Sequence, residues 1–167
     1  MEKARKMDAA DRYLNSRTCR YILRSGEEGS DSKAIATITM FLKEGSGSPQ
    51  AVIADMQCSW FEYELGMYYA RRGEHGKALR RFKLIEKHYE DILDDQFDFH
   101  FYSTMRKFTL NTYVQLLKLE DELFASKMFV KSAIAQIHTW IQLDDSRIIS
   151  KLLLLSSSSS PTKKEKE

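Results

Sequence analysis

Residues that interrupt helices are scarce in this 167-residue chain, which has two prolines and seven glycines. That is too few for a collagen-like or loop-dominated protein. Cysteine is scarcer still. Cys19 and Cys58 cannot build a multi-bridge secreted scaffold, so a reducing, intracellular setting is expected. No excess of one charge exists either. Lys+Arg number 26 against 24 Asp+Glu, a formal net charge of +2, which excludes a general pull toward acidic partners and leaves room only for local patches. Long apolar runs are missing as well. The longest, Ile148 to Leu155, contains Lys151 and falls far short of the roughly 20 apolar residues of a membrane span. No membrane partner is therefore expected. Met1 to Asp8 is charged with no apolar core behind it, so it does not read as a signal peptide. No Asn-x-Ser/Thr acceptor occurs. By exclusion the expectation is a cytoplasmic protein or a piece of one.

What is present is helical patterning. Hydrophobic residues make up 43% and charged residues 30%, enough for one domain with a core. Breaks fall at Gly26 to Ser32, Gly45 to Pro49, Arg72 to Gly76, Asp91 to Gln96 and near Glu120-Asp121. Between them the spacing predicts helices at 4–14, 16–25, 31–43, 51–72, 76–92, 96–118 and 123–143. Ala34, Ile38, Phe41 and Leu42 share one face, and so do Ala78, Phe82, Ile85 and Tyr89, and Phe101, Met105, Phe108, Thr112 and Leu116. Asp95, three residues before Asp98, reads as a capping arrangement for the helix from 96. Phe97 to Phe101 alternates but runs into a helical pattern. The fold class expected is all-α. Residues 1–150 read as a helical repeat region, and 151–167 as a disordered Ser/Lys-rich tail beginning in earnest at the serine run from Ser156.

The most specific pattern is Leu65-Gly66, Tyr69, Gly73, Ala78 and Phe82. These offsets match the tetratricopeptide consensus of Leu-Gly, Tyr, a turn Gly, then Ala and Phe four apart. Gly66 and Ala78 are small where two antiparallel helices would cross. Leu65, Tyr69 and Phe82 would fill the space around that crossing, and Gly73 suits a helix C-terminus. Trp60 lies two positions before the place of the consensus tryptophan. An ordinary helical hairpin is the alternative. Ala34 and Ile38 fit an earlier repeat with Tyr21 at its leucine position. A helix over 51–72 would be roughly 33 Å long and overshoot a standard repeat by about two turns. The reading is an α-solenoid of degenerate hairpins, each unable to bury its apolar face alone.

The run from Asp94 to His100, then Tyr102, Met105-Arg106-Lys107, Thr109-Leu110, Tyr113-Val114 and Leu116 to Asp121, resembles the auxiliary, non-catalytic subunit of the N-terminal acetyltransferase A complex. Ala10-Asp11-Arg12, Asn15-Ser16, Met56-Gln57-Cys58 and Trp60-Phe61 are similar to the same family. The resemblance covers roughly Asp8 to Asp145. It implies a tetratricopeptide-type superhelix that wraps a catalytic acetyltransferase subunit and helps hold the complex at the ribosome, with acetyl-CoA as the holoenzyme's donor. Family members are several times longer, so a fragment from their C-terminal half is implied. The strongly basic segment they carry further on has no counterpart in Ser156–Glu167.

No chemistry of the chain's own stands out. The acetyl-CoA fingerprint Arg/Gln-x-x-Gly-x-Gly/Ala is absent, and Gly73 and Gly76 read as a turn. No Walker loop, His-Glu-x-x-His or Cys-x-x-Cys occurs. Asp91, Asp94, Asp95, Asp98 and His100 could be drawn as metal ligands but read better as capping and a solvated face. His75, His88 and His138 are scattered. Cys19 and Cys58 read as helix-packing groups. No catalytic residue, cofactor, metal or small-molecule substrate is expected. One local patch is basic: Arg71, Arg72, Lys77, Arg80, Arg81, Lys83 and Lys87 stand against Glu74, Glu86 and Glu90. It supports an alternative reading, a ribosome- or RNA-binding module. The aromatics here are spaced for packing and not for stacking on bases.

Overall fold

The computed structural model describes residues 1–41, 47–98 and 109–158. Eight α-helices occur among them: α1 Glu2–Met7, α2 Arg12–Ser25, α3 Ser30–Ile38, α4 Pro49–Asp55, α5 Ser59–Arg71, α6 His75–Gln96, α7 Leu110–Glu120 and α8 Lys127–Ser158, with one 3-10 turn at Leu123–Ala125. No strand occurs among the described residues.

Local chemistry sets several boundaries. The Asp11 carboxylate accepts from the backbone N–H of Tyr13 at 2.7 Å and of Leu14 at 3.1 Å, which starts α2. Ser48 accepts from the N–H of Ala51, and Pro49 takes the first position of α4, where its missing N–H costs nothing. α5 ends in a Schellman motif. Gly73 adopts φ +73°, its N–H donates to Ala70 O, and the Glu74 N–H donates to Tyr69 O at 3.0 Å.

The helices stack in order. α3 lies on α2, α2 on α5, α5 on α6, and α8 on α6, from where it also reaches α5. The core follows that stack: Cys19 and Leu23 from α2, Ala34 from α3, Phe61, Leu65, Tyr68 and Tyr69 from α5, Ala78 and Phe82 from α6, and Ala135 from α8. This is a layered array of helical pairs, the solenoid architecture that the repeat pattern implies.

Five expectations need correction. The helix expected over 51–72 is two helices, parted at Met56–Cys58, where Gln57 takes φ +49°, a left-handed conformation rare for a side-chain-bearing residue. The apolar pattern continues across this turn, so periodicity alone could not see it. The polar interval Asp91 to Gln96 is not a break but the last turns of α6, because charged residues on a solvated face do not end a helix. Asp95 therefore sits inside α6. The first break lies at Asp8–Asp11, not near residue 15. The last helix ends well beyond 143, at Ser158. Tyr21, placed at the leucine position of an earlier repeat, is 54% exposed. The residues α2 buries are Asn15, Thr18, Cys19 and Leu23. Residues 42–46, 99–108 and 159–167 lie outside the described residues, and with them Leu42, the ladder from Phe101 to Phe108, His100 and most of the serine-rich tail.

Candidate functional site

The α5/α6 crossing is tightly packed. Leu65, Ala78 and Phe82 are fully buried, and Tyr69 nearly so. Gly66 lies directly against the Phe82 ring. A Cβ added there would stand 2.6 Å from Phe82 Cε1 and 3.0 Å from Cδ1 and Cζ. The first of these is closer than real Cβ atoms come to a neighbour, so with any other residue here the Phe82 ring must move. Tyr63 flanks Phe82 with ring centroids 6.3 Å apart. The Tyr69 hydroxyl donates to Asp31 at 3.0 Å and the Tyr68 hydroxyl to Glu27 O at 3.1 Å, which ties α5 to the α2–α3 pair. Burial, helped by that bond to Asp31, pushes the Tyr69 phenol up to about 12.

The place of the consensus tryptophan is taken by Glu62. Its side chain is completely buried, and its Oε2 accepts from Arg81 Nη1 at 3.2 Å. Oε1 has no partner among the described residues. Burial raises the Glu62 carboxyl above the usual carboxylate range, and the Arg81 charge pulls the other way. A charge at this depth is tolerated only because it is paired. No single residue in the sequence announces the pair; the signal was the missing tryptophan two positions after Trp60, together with an arginine nineteen residues on.

The seven cations of the basic segment divide. Arg71 donates to Leu23 O at 2.9 Å. Arg81 is held by Glu62. Arg72 and Lys77 both engage Glu74, and their charges also sit over the rings of Tyr68 and Tyr69. Arg80, Lys83 and Lys87 are exposed and enter no ion pair among the described residues. They are spaced along one side of α6 with Glu86 and Glu90 beside them. Among the described residues, then, three of the seven cations are ion-paired within the chain, Arg71 is tethered to a carbonyl, and Arg80, Lys83 and Lys87 are left facing solvent.

The remaining candidate groups do not converge on chemistry. Among the described residues no three His, Cys, Asp or Glu side chains could hold a metal ion. Cys19 is buried against Ala34 O, and burial pushes its thiol up to about 12; Cys58 is raised by burial as well. Neither is poised as a thiolate nucleophile. His88 is buried on α6, and that burial holds its imidazole below the usual range. No described helix is long and apolar enough to cross a membrane.

What the molecule does display is apolar surface on α8. Ser132, Ala135 and Thr139 turn inward, whereas Val130, Ile134, Ile137, Trp140 and Ile141 are about half exposed. Between α6 and α8 runs a cavity of about 220 Å³, lined by Phe82 and Glu86 on one side and by Phe129, Ala133, Ile137 and Trp140 on the other. Its end toward α8's start is fixed by Tyr89, whose ring packs on Phe129 at 5.1 Å and whose hydroxyl bonds Ser126 at 2.7 Å. This surface had no signature in the sequence beyond helical spacing, because an apolar residue facing a neighbour and one facing solvent follow the same period.

Comparison with known proteins gives one answer. The family of N-terminal acetyltransferase A auxiliary subunits matches residues 1–167. The N-terminal acetyltransferase A complex auxiliary subunit NAA15 of Arabidopsis thaliana is 42% identical over 145 residues, 87% of this chain and 16% of that protein. The human N-alpha-acetyltransferase 16, NatA auxiliary subunit, is 39% identical over the same shares. Among solved structures, a chain of the Naa15/Naa10 complex bound to HypK-THB aligns with a TM-score of 0.79 and 34% identity, over 86% of this chain and 21% of that one. The chain thus spans only a small part of the length of the relatives it matches.

Proposed function

The chain belongs to the family of N-terminal acetyltransferase A auxiliary subunits, and on that premise we propose that it is a non-catalytic scaffold segment that holds a catalytic acetyltransferase subunit. The observation that carries this reading is the alignment with a chain of the Naa15/Naa10 complex over 86% of its length. Its physical content is a rigid stack of helices that presents side chains from several layers to one partner. Rigidity comes from the α5/α6 crossing, so the surface is organised before the partner arrives. The reading includes a cytoplasmic location and association with the ribosome. Ribosome association rests on the family and not on the Arg71–Lys87 face, where four of seven cations are engaged within the chain.

Co-purification tests the proposal. This chain and a catalytic subunit of the same complex, mixed and run on a sizing column, should elute together, and acetyl transfer should require the catalytic subunit. Acetyl transfer to a peptide by this chain alone, or separate elution at micromolar concentrations, would remove the reading. Cosedimentation with ribosomes that survives Arg80→Glu, Lys83→Glu and Lys87→Glu would place any ribosome contact elsewhere.

A further inference from the structure

We propose that the seam between α6 and α8 is a docking groove for an acidic amphipathic helix of a partner protein. The inference deepens the scaffold reading and rests on it. Three features meet there. The first is shape. At about 220 Å³ the cavity is smaller than the roughly 300–1,000 Å³ typical of small-molecule sites, and fits an anchoring side chain better than a free ligand. The second is chemistry. Its floor is Phe82 and Ala133, and its lip is Ile137 and Trp140, both about half exposed. A half-exposed tryptophan beside a pocket is the residue type that most often dominates a protein interface. The third is charge. Glu86 lines both this groove and the adjoining surface of Arg80, Lys83 and Lys87. An entering helix with apolar anchors at i, i+3 or i+4 and i+7 would lay its flank along that cation row. Acidic residues on that flank would be complementary, and a basic flank would be repelled.

The cation row alone suits nucleic acid poorly. Among the described residues no aromatic side chain lines it, so it offers no series of stacking platforms for bases. The groove is also distinct from the outward stripe of α8. At about 100° per residue, Ala133 and Trp140 stand close together on the wheel, and Ile134 and Ile141 lie roughly a quarter turn further round.

The test uses the whole chain and a fluorescein-labelled peptide of about five helical turns, with leucine anchors flanked by glutamates. A second peptide carries lysines in their place. Anisotropy titration should show binding of the glutamate peptide, weakened about tenfold or more by Trp140→Ala. Lys83→Glu with Lys87→Glu, both at exposed positions, should weaken it similarly, with circular dichroism unchanged, and should improve binding of the lysine peptide. Equal binding of both peptides by the native chain would mean an indiscriminate apolar face and would overturn the proposal. So would self-association of the chain that excludes the peptide, displacement of the peptide by a short RNA, or loss of binding when the chain is lengthened by its neighbouring helices. Co-purification with the catalytic subunit in the absence of peptide binding would remove this proposal alone. Peptide binding without co-purification would remove only the scaffold reading.

Discussion

The α5/α6 pair and the α2/α3 pair bury comparable helices by different means. At α5/α6 the contact is glycine against an aromatic ring, walled by Leu65, Tyr69 and Ala78, with a charged pair sealed beneath it. At α2/α3 small and partly polar groups, Thr18, Cys19, Ser30, Ala34 and Thr37, are buried beside Leu23. Cys19 Sγ lies 3.5 Å from Ala34 O, and Thr37 satisfies its hydroxyl on Lys33 O within its own helix. The first solution is specific, because one added methyl group collides with a ring. The second is permissive, because many small residues fit. A consensus arises only from the first kind of packing, and this decides which pair a sequence can reveal.

The sharpest way to break the comparison is to remove the charge partner from the tight pair. Arg81→Ala leaves Glu62 buried and uncompensated, and should cost about 3 kcal/mol in urea unfolding. No substitution of a single polar group in α2/α3 should approach that; Thr37→Ala removes a hydroxyl bonded within its own helix and should cost about 1 kcal/mol or less. Equal losses in the two variants would mean that Glu62 sheds its charge on folding.

Legibility in the sequence follows the same division. Gly66, Ala78 and Phe82 could be placed at a crossing because each has a steric reason to be that residue. Tyr21 could not be placed, since an aromatic that faces solvent follows the same helical period as one that faces a neighbour, and this one faces solvent. The α4–α5 turn was hidden for another reason. Gln57 carries the left-handed conformation without the glycine that usually advertises it. Glu62–Arg81 and the α8 surface lay beyond reading, because burial of a charge and exposure of an apolar face are properties of three-dimensional neighbours. Family membership, by contrast, was legible from motifs around Trp60 and the Asp94–Asp121 stretch, which carry information that periodicity lacks.

Two glycines sharpen the steric half of the comparison. Gly66→Ala must displace the Phe82 ring and should cost about 1–3 kcal/mol. Gly76→Ala, in the first turn of α6 with nothing within 4 Å of the new Cβ, should leave stability unchanged or raise it by up to about 1 kcal/mol. Thermal midpoints moving in the same direction would show that α5 and α6 are not in the intimate contact described.

The buried pair has a pH signature of lesser size. Burial raises the Glu62 carboxyl, so the folded state holds that proton more tightly than the unfolded chain does. Its contribution to stability is complete below the ordinary glutamate value and is lost as pH rises through the raised one. Each unit of displacement is worth about 1.4 kcal/mol, and Arg81 offsets part of it. Against Glu62→Gln, the native chain should therefore lose stability as pH rises above the ordinary glutamate value. His88, lowered by burial, titrates in the opposite sense, but it is common to both proteins and cancels in the difference. A parallel pair of stability curves would deny the carboxyl its raised value.

The smallest effect bears on the permissive pair. Tyr21 lies on the outer side of α2, and the α2/α3 contact runs through Cys19 and Ala34 instead. Tyr21→Ala should thus change unfolding free energy by no more than about 0.5 kcal/mol, whereas Ala34→Leu, at a fully buried position, should overpack the contact by about 1–3 kcal/mol. If Tyr21→Ala were the costlier of the two, the aromatic would be a wedge between helices, the α2/α3 pair would share the register of α5/α6, and the contrast between a specific and a permissive crossing would collapse into one repeating unit.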